Sequence, residues 1–137
     1  ELIQSVDSLR LAREIGKRAT SVGSQARVLV QVNTSSAESQ FGLPLEEAAE
    51  FVSLVAEVEG VQVEGLMTIG AFLPDPEAVR PCFVRLRELR DRISDKRIQG
   101  VSMDTLSMGM TGDFEVAIEE GATLVRIGTA IFGARSG

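Results

Sequence analysis

Ser107, Gly109, Thr111 and Gly112, and further on Gly128 and Thr129, are the residues in this chain whose types and spacing point most directly to binding chemistry. All are small, and the Ser and Thr carry hydroxyl donors. Each group follows a strand-like run, residues 105–108 and 124–127, and opens into a helical segment, so two helix openings are expected to face the same way. Backbone N–H groups at a helix start lack an intrahelical partner and carry a partial positive charge, so small side chains there leave room for an anion such as phosphate. Ordinary punctuation of a βα turn would use the same residue types. Two such turns in succession, with Arg126 just before Gly128, favour the phosphate, because the loops after the last two strands of an α/β barrel are where one most often sits.

Composition removes other chemistries. The chain has 137 residues, 44% hydrophobic and 25% charged, as expected of one ordinary globular domain spanning 1–137. No apolar run approaches the roughly 18 residues that cross a bilayer, and residues 1–16 lack the apolar stretch of a signal peptide, so a cytoplasmic setting is expected. A net charge of -6, 4% aromatic residues and neither Trp nor Tyr argue against a nucleic-acid surface. There is no His and only one Cys, so the usual zinc or iron ligand sets and any Ser-His or Cys-His catalytic pair are not expected. Cys82, among Val79, Phe83 and Leu86, reads as a packing residue. The basic cluster Arg85, Arg87, Arg90, Arg92, Lys96 and Arg97 alternates with Glu88, Asp91 and Asp95, which predicts a solvated, salt-bridged helix face.

The elements that would position the turns alternate strand and helix about five times. Residues 2–5 are strand-like, and Asp7 is expected to cap a helix reaching to about 22, with Val6 and Leu11 as a hydrophobic staple and Leu11, Ile15 and Ala19 as its buried stripe. Residues 27–33, RVLVQVN, form the clearest strand, with Val28, Val30 and Val32 on one face and Leu29 and Gln31 on the other. Cover on both sides follows, as in a parallel sheet. Pro44 opens a helix over 45–58 with Ala48, Phe51, Val52 and Val55 inward. A third strand runs over 61–69, a long helix over 77–95, a fourth strand over 105–108, a helix over 113–120 and a fifth strand over 124–127.

Such alternation requires a parallel sheet with right-handed crossovers, so every loop following a strand lies at one edge. Ser5, Asn33, Thr68, Ser107 and Gly128 are expected to gather there. A closed (β/α)₈ barrel takes about 250 residues, and five units make an incomplete one. An open, doubly wound five-stranded sheet is the alternative.

The stretches LIQSVDSLRLA (2–12), VLVQVN (28–33), FGL (41–43), GLMTIGAF (65–72) and LSMGMTGDFEVAIEEGATLVRIGTAIFGAR (106–135) resemble the pyridoxal 5′-phosphate (PLP) homeostasis proteins, the YggS/PROSC family, over essentially the whole chain. The resemblance implies a parallel (β/α) barrel of the TIM and alanine-racemase type, here strands four to eight of an incomplete barrel. It also implies a protein that binds pyridoxal phosphate and buffers or delivers it inside the cell, to PLP-dependent apo-enzymes, without established catalysis. By motif position, Ser107, Met108, Gly128 and Thr129 would hold the phosphate, and Arg126 would face the pyridine nitrogen. A permanently charged guanidinium there disfavours protonation of that nitrogen and weakens the ring as an electron sink. Asn33, Met67 and Ser5, at strand ends on the same edge, would line the ring.

The family's Schiff-base lysine lies on the first barrel strand, which has no counterpart in these residues. Lys17 and Lys96 fall on predicted helices away from the strand ends. The family has Ser where Thr111 stands and Lys where Gln40 stands. A racemase of the same fold is the alternative function, but its second base is commonly a Tyr, which this chain lacks. A half-barrel that self-associates through open strand edges is a third reading, whereas the complete family protein would be a monomer.

Overall fold

The computed structural model describes residues 2–34, 42–69, 74–110 and 112–126, and for Gln4, Ser5 and Arg126 the backbone alone. Their elements run β1 Leu2–Val6, α1 Leu9–Ser21, β2 Ala26–Asn33, the two-residue β3 Leu43–Pro44, a 3₁₀ turn Leu45–Glu47, α2 Ala48–Ala56, β4 Val61–Met67, α3 Pro76–Asp95, β5 Val101–Met110, α4 Phe114–Glu119 and β6 Leu124–Arg126. The main strands lie in the order β1-β2-β4-β5-β6, every neighbouring pair parallel, with β3 beside the end of β2. All their carboxyl ends therefore fall on one edge.

All four α-helices pack on the same face of this sheet. Ala12 of α1, Phe51 of α2, Phe83 of α3 and Ala117 of α4 share one hydrophobic cluster with Val28, Val30, Val32, Leu66 and Leu106. A doubly wound sheet would split its helices between two faces, so the barrel-type expectation holds and the open-sheet alternative does not. The other face carries the alternate residues of the same strands, among them Leu29, Gln31 and Met67, and these too are buried.

The five main strands lie where expected, though β4 stops at Met67 short of 69 and β5 is longer at both ends than 105–108; the two-residue β3 was not expected. Its pairing with β4 is irregular at Gly65, whose added Cβ would lie 1.8 Å from the Thr105 carbonyl oxygen. Only glycine allows the two strands that close an approach. The 45–58 helix opens instead as a 3₁₀ turn and ends at Ala56. Ala48, Phe51, Val52 and Val55 are its buried residues, as expected.

The first helix departs further. Ser8, not Asp7, is the N-cap: it is extended (φ -143, ψ 147) and its Oγ accepts from the Leu11 N–H at 3.1 Å. The staple is lost with that shift, since Leu11 is 39% exposed, and the buried residues of α1 are Ala12 and Gly16. The reason is close approach. A Cβ on Gly16 would come within 2.2 Å of the Glu59 carbonyl oxygen, so the smallest residues must face inward.

On α3, Asp75 caps the start by accepting from the Glu77 N–H at 3.0 Å. Cys82 is a free, buried thiol inside the core, as its neighbours suggested. The basic cluster is not the intrahelical ladder expected of it. Arg85 donates to the Thr34 carbonyl at 2.6 Å, Arg87 pairs with Glu120 of α4, and Arg90 pairs with the adjacent Asp91 at 2.8 Å. No described helix is long and apolar enough to cross a membrane.

Candidate functional site

Pairing in register sorts the strand ends into rows across the sheet. Val6, Val30, Leu66 and Leu106 form one row, each fully buried in the helix-packed core. One residue further along, Gln31 pairs with Met67, Met67 with Ser107 and Ser107 with Leu124. Side chains alternate faces along a strand, so Gln31, Met67 and Ser107 point away from the helices. They are 5%, 5% and 0% exposed. Burial of two polar side chains in one row is costly unless their hydrogen-bonding groups are used.

The strand ends are tied together by polar contacts. Thr34, just past β2, and Thr68, just past β4, share a buried hydroxyl–hydroxyl bond of 3.0 Å. The Thr68 N–H donates to the Ser107 carbonyl at 3.0 Å, and the Thr123 N–H to the Leu106 carbonyl at 2.9 Å. These bonds hold β2, β4, β5 and the approach to β6 at one height. Asn33, Thr68 and Ser107 are all engaged within the protein.

Beyond Ser107 the chain turns into α4. Gly109 adopts φ 104, and a Cβ there would lie 2.6 Å from the Ala117 Cβ, so a glycine seats α4 directly on the strand end. The Asp113 carboxylate accepts from the Met110 N–H at 2.7 Å and does not cap the helix it precedes. Its diversion leaves the first turn of α4 without the side-chain cap that an Asp in this place normally supplies. At its other end α4 is fastened to α3. Arg80 reaches Glu77 at 2.8 Å, Glu119 at 2.7 Å and Glu120 at 2.6 Å, while Arg87 also pairs with Glu120. Hydrogen bonds from Arg80 hold the Glu120 and Glu77 carboxyls below their ordinary values, and the same bonds raise the Arg80 guanidinium well above its own.

Of the expected site residues, Met67 and Ser107 are neighbours on the face turned away from the helices, and Asn33 ends the adjacent strand β2. Ser5 stands near the carboxyl end of β1, and Arg126 ends β6 opposite Met110; their side chains lie outside the described residues. Met108 faces the other way, fully buried in the cluster with Leu106, Val116 and Ala117, so its backbone is what it offers at the strand end. Gly128, Thr129, Thr111 and Gln40 lie outside the described residues, as does any helix after Thr129. The first of the two expected helix openings is therefore present at Asp113, and the second is not within view. Two buried polar residues escaped the sequence reading: Thr34 and Gln31. A lone amide in the otherwise apolar VLVQV run was the signal for the latter.

Comparison with known proteins agrees with this architecture. The model of the family described as alanine racemase, N-terminal domain matches residues 1–136. The pyridoxal phosphate homeostasis protein of Aquifex aeolicus (strain VF5) is 49% identical over 134 residues, which cover 98% of this chain and 58% of that protein. Among solved structures, an unknown protein from Bifidobacterium adolescentis is similar with a TM-score of 0.89 at 44% identity, over 96% of this chain and 52% of the other. PipY of Synechococcus elongatus PCC7942, solved with PLP bound, is similar with a TM-score of 0.83 at 26% identity, over 96% of this chain and 60% of PipY. The chain thus spans little more than half the length of the relatives it matches. Parallel strands backed on one face by four helices, with their carboxyl ends on a shared edge, and a family match running nearly end to end, establish that the chain belongs to the alanine racemase N-terminal domain family, an α/β fold of the barrel type.

Proposed function

We propose that these residues form the phosphate- and ring-holding part of a pyridoxal phosphate site, in a protein that stores and delivers the cofactor without turning over an amino acid. The observation that carries the reading is the pairing of Ser107 with Met67 across adjacent strands, on the face away from the helices, just before the Gly109 on which α4 is seated. The chemistry fits the group. A hydroxyl and the backbone N–H groups of a glycine-containing turn suit a phosphate dianion, and a thioether suits the face of an aromatic ring. Arg126 ends the strand next to that turn, where a guanidinium would meet the pyridine nitrogen and keep it unprotonated. Gly128 and Thr129 would complete the phosphate contacts, joined by the Met108 backbone, while Asn33 and Ser5 would border the ring.

When bound, the cofactor supplies an electron sink, which an unprotonated ring nitrogen weakens. A carrier needs no more than that. The relatives' name and the PLP-bound PipY support the assignment. Delivery to PLP-dependent apo-enzymes and a cytoplasmic setting belong to the same proposal.

The test is absorbance and fluorescence of the full-length protein on adding pyridoxal phosphate. A saturable spectral shift that survives desalting is expected, and Arg126→Met should weaken it. A wild-type protein whose spectrum does not change would overturn the proposal.

A further inference from the structure

The Gln31 carboxamide is 5% exposed and, among the described residues, has no hydrogen-bond partner for its side chain. Its neighbours Asn33, Thr68 and Ser107 are all engaged. A buried amide brings two donors and an acceptor, and leaving all of them unused is among the costlier things a folded chain can do. A leucine or methionine of similar volume would pack there at no such cost.

The position of the amide is informative. Gln31 and Ser107 belong to one row on the face away from the helices, with Met67 between them. Two strand spacings separate them, about 10 Å, which an aromatic ring with a phosphoester arm spans when a hydrogen bond is made at each end. The stem of Gln31 is confined as well: a Cβ added to Gly42 would lie 3.2 Å from the Gln31 Cγ, so the end of the β2 strand is closely covered there.

Resting on the pyridoxal phosphate reading above, we infer that Gln31 is a ligand-facing residue whose amide donates to the phenolic oxygen of the pyridine ring. The choice of atom follows from what remains. The phosphate is matched to Ser107 and its turn, the ring nitrogen to Arg126, and the ring face to Met67. The aldehyde is the group a Schiff-base lysine would take, so the phenolic oxygen is the remaining polar ring substituent without a protein group. A primary amide is neutral, so it donates to that oxygen without competing with Arg126 for charge. Gln31 is thus a specificity-determining residue that distinguishes a 3-hydroxypyridine from a ring lacking the hydroxyl.

The experiment compares the full-length wild type with Gln31→Leu by calorimetric titration, using pyridoxal phosphate and its 3-deoxy analogue, and by thermal unfolding of each apo protein. Gln31→Leu is expected to bind pyridoxal phosphate about tenfold more weakly, the equivalent of one lost hydrogen bond. The deoxy analogue should bind both proteins alike. The apo variant should melt at the same temperature as the wild type or higher, since an unsatisfied buried amide has been removed.

Equal loss for both ligands, no loss for pyridoxal phosphate, or a lower melting temperature would each overturn the inference, the last because it would reveal a structural partner for the amide. Gln31→Met keeps the length of the side chain and removes the donor without adding charge. It should weaken pyridoxal phosphate binding about as much as Gln31→Leu while sparing the analogue, and the same loss for both ligands would count against the inference. A wild type that binds neither ligand sinks the functional reading itself. A wild type that binds both, beside a Gln31→Leu variant indistinguishable from it, sinks only the role of Gln31.

Discussion

Two neighbouring rows of the same sheet have opposite characters. Val6, Val30, Leu66 and Leu106 meet the helices and are wholly apolar, whereas Gln31, Met67 and Ser107, one residue along, face away and mix polar with apolar. Both rows are buried, so exposure does not tell them apart. Their chemistry does. The apolar row supplies folding free energy at about 25 cal/mol per Å² removed from water, and nothing in it can recognise a ligand. The mixed row gives up part of that gain to hold hydrogen-bonding groups where water is scarce, which is how binding sites are commonly built.

Adjacent substitutions should separate the two rows most sharply. Leu106→Ala is expected to lower stability by about 2–5 kcal/mol, seen as a shifted denaturant midpoint, because it opens a cavity in a close-packed core. Ligand affinity of the fraction that stays folded should hold. Ser107→Ala, one residue on, should cost only about 0.5–1.5 kcal/mol of stability for its lost hydrogen bonding, while weakening pyridoxal phosphate binding at least tenfold in a titration. If Ser107→Ala left affinity intact, or Leu106→Ala lowered it in the folded fraction, the division of labour between the rows would be wrong.

A smaller effect concerns the fastening of α4. The Glu120 and Glu77 carboxyls sit below their ordinary value of 4.5 because Arg80 donates to them. A carboxyl with a lowered folded-state value contributes stability that is fully present above its unfolded value and is lost as pH falls through the folded one. The wild type should therefore lose stability as pH drops below about 4.5, and Arg80→Met should flatten that part of an acid-unfolding profile. An unchanged profile would show that the cluster is solvated surface pairing.

The smallest effect belongs to the opposite edge of the sheet. There a cavity of about 310 Å³ is lined by Ile3, Ile15, Ala19, Val22 and Ala26, among others, and Val22 is 77% exposed. Val22→Ser should change stability by less than about 0.5 kcal/mol and leave cofactor titrations untouched. A loss of binding would place function at the wrong end of the strands.

Much of this was legible in one dimension. Period-two runs and helical stripes located the five main strands and four α-helices, and the small residues after Ser107 marked the passage from β5 into α4. The misplacements share a cause. Leu11 was expected inward because periodicity ranks residues by hydrophobicity, but α1 lies so close to the Glu59 carbonyl that Gly16 must stand there. Ala12 and Gly16 are buried, while Ile15 packs only partly against the core. Arg85 and Arg87 of α3 were expected to pair along their own helix, as Arg90 does with Asp91, but a carbonyl past β2 and a carboxylate from α4 were better placed to receive them.

Local propensity and alternation, read from the residues alone, determined the order of the elements, the parallel sheet and the shared edge at which its strands end, because each depends on neighbours within a few positions. Only the tertiary structure decided which face of that sheet the helices cover, and hence that Met108 packs inward among them while Gln31 and Ser107 turn the other way. That choice depends on cross-strand register, which a bulge such as the one at Gly65 resets, and register is a property of two strands at once.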